Sequence, residues 1–201
     1  VTVIITLSPE WEARAVELAE AKLAECVGLD RVQADGRTID PEQRYQNNLM
    51  SYRAEFAIAK YTQLPWRQWS GDFNQADVGD NVEVRARNIP GSGGDLPLRP
   101  KDDEKLERPF VLVHVHENDG TIEAIGWLFG YEARARGGPE RFSIVYVPPP
   151  YRDMPELLAE VRDPRVRYCA ICGVICNLGY GPPGWPVLKY FCGEHRPDAL
   201  R

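Results

Sequence analysis

The chain has 201 residues, enough to bury one good core with a small appendage. At 43% hydrophobic and 27% charged, with no long low-complexity run, it has the composition of a soluble globular protein. A net charge of −6 argues against a generally basic nucleic-acid coat protein, but local nucleic-acid binding depends on where the charge sits and stays open.

Residues 1–7 are apolar enough for a strand, too short for a membrane span, and lack the basic lead of a signal peptide. Ser8-Pro9-Glu10 then starts a helix, with a capping serine, proline at the first helical position and acid in the first turn. Trp11, Ala15, Leu18, Ala19, Leu23 and Cys26 recur at helical spacing, with Cys26 read as a small core residue. A polar loop over 28–39 leads to Asp40-Pro41-Glu42, which opens a second helix running to about Thr62. Its apolar stripe is Tyr45, Leu49, Tyr52, Phe56 and Ala59. Glu55 borders that stripe, and periodicity leaves it either turned toward a sheet or solvated on the helix flank.

Leu64-Pro65-Trp66 ends the helix, and strands are expected at 73–78 and 82–88. In the second, Val82, Val84 and Ala86 point one way while Glu83, Arg85 and Arg87 point the other. The turn Gly79-Asp80-Asn81 brings Asp77 beside Glu83. A Gly-rich loop at 91–94, a strand at 96–99 and a charged turn at 101–104 follow. Further strands are expected at 110–116, 122–129 and 142–147, helical turns at 130–136, and a short helix at 155–161. There is no internal repeat. Helices first and most strands afterwards indicate a mixed α/β or α+β fold rather than a doubly wound sheet.

Asp77 and Glu83, two carboxylates beside the cation Arg85, form a plausible site for a hard divalent metal and a phosphate; a solvated sheet face is the alternative. Arg53, Lys60, Arg67, Arg85, Arg87, Arg99 and Lys101 flank them, either as a phosphate-tracking groove or as a scattered solvated surface. His114 and His116 share a strand face, and without a third ligand candidate nearby they read as ordinary surface histidines.

The run Ala54-Glu55-Phe56-Ala57-Ile58-Ala59-Lys60, then Leu64-Pro65-Trp66, Asp77-Val78-Gly79 and Glu83-Val84-Arg85, resembles the PD-(D/E)XK, or restriction-endonuclease-like, nuclease superfamily, and its small phage-borne members in particular. The resemblance covers roughly residues 40–150. It implies a central sheet flanked by helices, DNA as substrate, and Mg²⁺ or Mn²⁺ held by Asp77 and Glu83 with Glu55 completing the site. It also implies Arg85 at the scissile phosphate, Arg87 and Lys101 as substrate contacts, and a phage or mobile-element origin. Two departures stand out. The interval from Asp77 to Glu83 is short for the family, and the motif lysine is Arg85, which stays charged and cannot act as a general base. Lys101 offers a relocated amine. A catalytically silent module that binds nucleic acid or a protein partner is the rival reading.

The tail has a different chemistry. Cys169-x2-Cys172 and Cys192-x2-His195, each with a glycine at hand in Gly173 or Gly193, have the spacing of a zinc ribbon or paired knuckle. A closed site of this kind is structural, and Cys176 is left as a spare thiol. The aromatic residues Tyr180, Trp185, Tyr190 and Phe191 serve either as a substitute core for so small a module or as base-stacking rings. The expected organisation is a nuclease-like domain at 1–162 and a zinc-binding module at 163–201. The cysteine usage and the lack of any transmembrane-length segment fit a cytoplasmic protein without a membrane partner.

Overall fold

A computed structural model of the protein describes residues 2–25, 40–68, 74–88, 94–116, 120–141 and 144–161. The expected zinc module, Cys26 and the 28–39 loop lie outside the described residues.

The described chain begins with strand β1 (Val3–Ile5) and helix α1 (Pro9–Glu25). Ser8 starts α1 by accepting from the Trp11 N–H at 3.5 Å. Helix α2 (Pro41–Thr62) is capped by Asp40, whose side chain accepts from the Glu42 N–H at 2.9 Å, and ends at Gln63 in the left-handed region. Its second half is buried well beyond one stripe: Ala54, Phe56, Ala57, Ile58, Ala59 and Thr62 are all enclosed. Packing explains the difference from the simple amphipathic expectation, because α1 covers one side of α2 and a sheet covers another. Phe56 sits between two rings, Trp11 at 4.5 Å and Trp66 at 4.9 Å, both edge-on.

The remaining elements are β2 (Glu83–Arg87), β3 (Leu96–Leu98), a 3-10 helix (Pro100–Lys105), β4 (Pro109–Val115), β5 (Ile122–Phe129), α3 (Gly130–Arg136), β6 (Glu140–Arg141), β7 (Ile144–Val147) and α4 (Met154–Val161). The main sheet has the order β1-β5-β4-β2. It is mixed: β5 runs antiparallel to both β1 and β4, whereas β2 and β4 are parallel. The fold is therefore mixed α/β, a mixed sheet flanked by helices.

Two expected elements change, while the strand expected at 96–99 forms as β3. Residues 74–78 form no strand; Val78 makes only single bridges, to Trp66 and to Val82. The Asp77 and Val78 N–H groups both donate to the Val82 carbonyl at 3.1 Å, and Gly79, with φ +60°, donates to Pro65 O at 2.8 Å. A turn this tight leaves no room for a ladder. The segment near 96–99 does not join the main sheet but builds a second one, ordered β3-β7-β6. The charged turn at 101–104 is part of the 3-10 helix, with Asp102 fully buried.

Two apolar layers result. One lies between α1, α2 and α4 and one face of the main sheet, with Val84, Val111, Val113 and Trp127 in it. The other packs Phe110, Leu112 and Leu128 against Leu96, Leu98 and Val147. Among the described residues no helix is long and apolar enough to cross a membrane.

Candidate active site

Strand β2 alternates as its sequence dictates, but neither face is solvated: Glu83 is 1% exposed and Arg85 9%. Their face is closed by the second apolar layer and the 3-10 helix. Arg85 lies over the Phe110 ring at 4.8 Å and donates to the Asp102 Oδ1 at 2.7 Å and to its neighbour's carbonyl, Val84 O, at 3.0 Å. Asp102 is itself fixed by the Arg99 N–H at 2.7 Å. Arg85 thus spends its short contacts on the fold, while Asp77 and Glu83 lie farther off, at 3.7 Å and 3.6 Å from Nη1.

Glu83 has closer cations. The Lys105 amine is 3.1 Å from each of its oxygens, and Arg108 Nη1 is 2.6 Å from Oε1. Neither Lys105 nor Arg108 stands out in the sequence. Both sit in a run dense in charge, which local pattern assigns to solvent, and only the 3-10 helix turns Lys105 inward.

Asp77 hangs from the turn after Trp66, and its Oδ2 accepts from the Val84 N–H at 2.7 Å. Glu55 comes from α2 and accepts from the Trp66 indole N–H at 2.7 Å. The packing of α2 on β2 turns Glu55 toward the sheet, which resolves the ambiguity left by its border position. Burial, and then the Asp77 carboxylate, hold Glu55 well above the ordinary carboxylate value. Burial, and then Glu83, raise Asp77.

Glu55, Asp77, Glu83, Arg85, Lys101, Asp102 and Lys105 line one cleft of about 410 Å³, with Arg67, Arg99 and Lys22 on its walls. The three expected catalytic carboxylates thus line one cleft. Lys101 is exposed on the wall and is held below the ordinary lysine value by partial loss of water and by Arg99. Arg87, expected at the substrate, is placed over the Tyr146 ring at 5.0 Å and does not line the cleft.

The donor chemistry fits a hard cation. Glu55 and Asp77 each use one oxygen in a hydrogen bond, and anionic crowding of this kind is relieved by bound positive charge. Glu83 is the least available of the three, because Lys105 and Arg108 occupy it. Among the described residues no group of three or more His, Cys, Asp or Glu side chains is gathered as a ready metal cage. The histidines differ from the surface reading in one respect: His114 is buried, and loss of water lowers its pKa. His116 pairs with Glu123 at 3.2 Å.

The chain matches no protein-family model and no curated protein.

Proposed function

We propose that the protein is a metal-dependent nuclease that hydrolyses DNA phosphodiester bonds, a restriction-endonuclease-like domain with a structural zinc module at Cys169, Cys172, Cys192 and His195. The observation that supports this reading is that Glu55, Asp77 and Glu83 line one cleft with Arg85 and Lys105. Asp77 and Glu55, with Glu83, would hold Mg²⁺ or Mn²⁺. A divalent cation bound there supplies Lewis-acid charge and acidifies water.

The chain's own residues do the rest. Arg99 and Lys101, exposed on the wall, bind and orient the phosphate backbone. Arg85 keeps β2 and the 3-10 helix in register, so that Glu83 and Lys105 face each other. Lys105 replaces the motif lysine more closely than Lys101, since its amine already touches the carboxylate. Such an amine, held in a closed site, stabilises negative charge developing on the phosphate. The setting proposed is the cytoplasm of a host carrying a phage or mobile element.

The test is incubation of single- and double-stranded DNA with the protein across divalent metals. Metal-dependent cutting that is lost in Asp77→Asn and Glu83→Gln supports the reading; cutting that survives both puts the site elsewhere. A second reading, a nucleic-acid-binding module without catalysis, is favoured by the engagement of both Glu83 oxygens by cations. Absence of cleavage on every substrate, with DNA still bound, would select it.

A further inference from the structure

We infer that the cleft contains a base-binding subsite on α2, and that it takes a single strand of DNA rather than an intact duplex. The inference rests on the nuclease reading for the phosphate end of the cleft. Asn48, Ser51, Tyr52 and Glu55 all line the cleft. Their spacing along α2 puts them on one helix face. A carboxylate, a phenol ring and an amide therefore follow one another along a single wall.

Tyr52 is half-buried and meets the Trp66 ring edge-on, with centroids 6.3 Å apart. The Trp66 indole N–H donates to Glu55. One indole thus positions both the ring and the carboxylate, so their separation is set by the fold rather than by flexible side chains. Arg99 and Lys101 stand among the other lining residues, both exposed, and Arg99 forms no ion pair among the described residues. The arrangement suits a nucleotide with its base against the helix and its phosphate toward the cations. An aromatic ring offers the base a stacking surface, and an amide offers both a donor and an acceptor to its edge.

Depth and size select the form of the strand. The side chains of Glu83 and Lys105 are 2% and 9% exposed, so this end of the proposed site lies on the cleft floor. Its volume of about 410 Å³ falls within the range of about 300–1,000 Å³ typical of small-ligand pockets. That is room for a nucleotide. A duplex presents a convex backbone with its bases stacked inside, and enzymes that seat a base in a pocket take it out of the stack or use single strands.

The test uses the full chain carrying Asp77→Asn, with no Mg²⁺ or Mn²⁺ added and the proposed zinc left in place, so that binding is read without cutting. Fluorescence anisotropy compares a short single-stranded oligodeoxynucleotide with a hairpin duplex of the same sequence. The single strand should bind about tenfold tighter, Tyr52→Ala should lose about tenfold of that affinity, and Tyr52→Phe should retain it. Asn48→Ala, at a half-buried helix position that leaves the core intact, should also weaken the single strand and not the duplex. Equal affinity for both forms overturns the inference, as does unchanged binding in both Tyr52→Ala and Asn48→Ala. Failure of the nuclease reading looks different: the wild type would cut nothing while single-strand binding still depended on Tyr52. Cutting of intact duplex as fast as single strand would leave the nuclease and remove the subsite.

Discussion

The Lys105 amine stands 3.1 Å from both carboxylate oxygens of Glu83, and both side chains are almost wholly enclosed. Arg108 adds a third contact at 2.6 Å. Lys105 is therefore the residue to remove when testing the amine. Lys105→Met keeps the length and apolar stem and deletes the charge. It should lower cleavage by about 10²-fold while folding persists, because Arg108 still pairs Glu83. Lys101→Met, altering an exposed wall residue, should lower cleavage much less and act on substrate binding. Cleavage rates of the two variants under saturating and limiting substrate separate these effects.

Arg85 is expected to matter for stability first. It is the partner of Asp102, which has no access to solvent, and breaking a buried pair from one side costs about 3–5 kcal/mol. Arg85→Ala should destabilise by that order in denaturant unfolding, beyond any loss of activity. Arg85→Lys should fall between Ala and wild type, since an ammonium cannot span Asp102 and the Val84 carbonyl as a guanidinium does.

Glu55 should make stability fall as pH rises. Its folded pKa lies above the ordinary value of 4.5, so the folded state binds the proton more tightly than the unfolded one. No penalty exists below that ordinary value. It builds as pH climbs from there through the raised folded pKa and then stays constant. Glu55→Gln retains an acceptor for the Trp66 indole and should be more stable than wild type at neutral pH without added Mg²⁺, with the gap closing in acid. Added Mg²⁺ should narrow the gap by stabilising wild type alone. Thermal melts across pH, with and without Mg²⁺, measure both effects.

The tail should hold one zinc through Cys169, Cys172, Cys192 and His195. Structural zinc in such peptides contributes about 10–16 kcal/mol of apparent binding free energy at neutral pH, which for a small module is folding free energy. Metal analysis of reduced full-length protein should find one equivalent, kept in Cys176→Ser and lost in Cys169→Ser. Loss in Cys176→Ser would exchange the fourth ligand.

Local pattern made much of this fold legible. The caps at Ser8 and Asp40, the alternation through Glu83 and Arg85, the strand β5 and the helix α3 are all written in short-range periodicity and turn chemistry. The convergence of Asp77 and Glu83 was legible too, though the strand expected before Asp77 is a turn. What local pattern does not carry is long-range placement. Lys105 and Glu83 are 22 residues apart, and nothing in a run of charges tells which one turns inward. Burial of the Glu83 face also depends on a second sheet whose strands come from distant segments.

Among the described residues strand β2 is the last strand of the main sheet, and there the Val84 N–H is covered by the Asp77 side chain rather than by a neighbouring strand. An uncovered strand edge is a template on which another chain can grow. Here a growing chain would have to evict the very carboxylate on which the proposed chemistry depends. Shape at that border is thus guarded by function: a substitution of Asp77 by an apolar residue should leave the Val84 N–H without its acceptor as well as removing the proposed activity, and light scattering would read any self-association that follows.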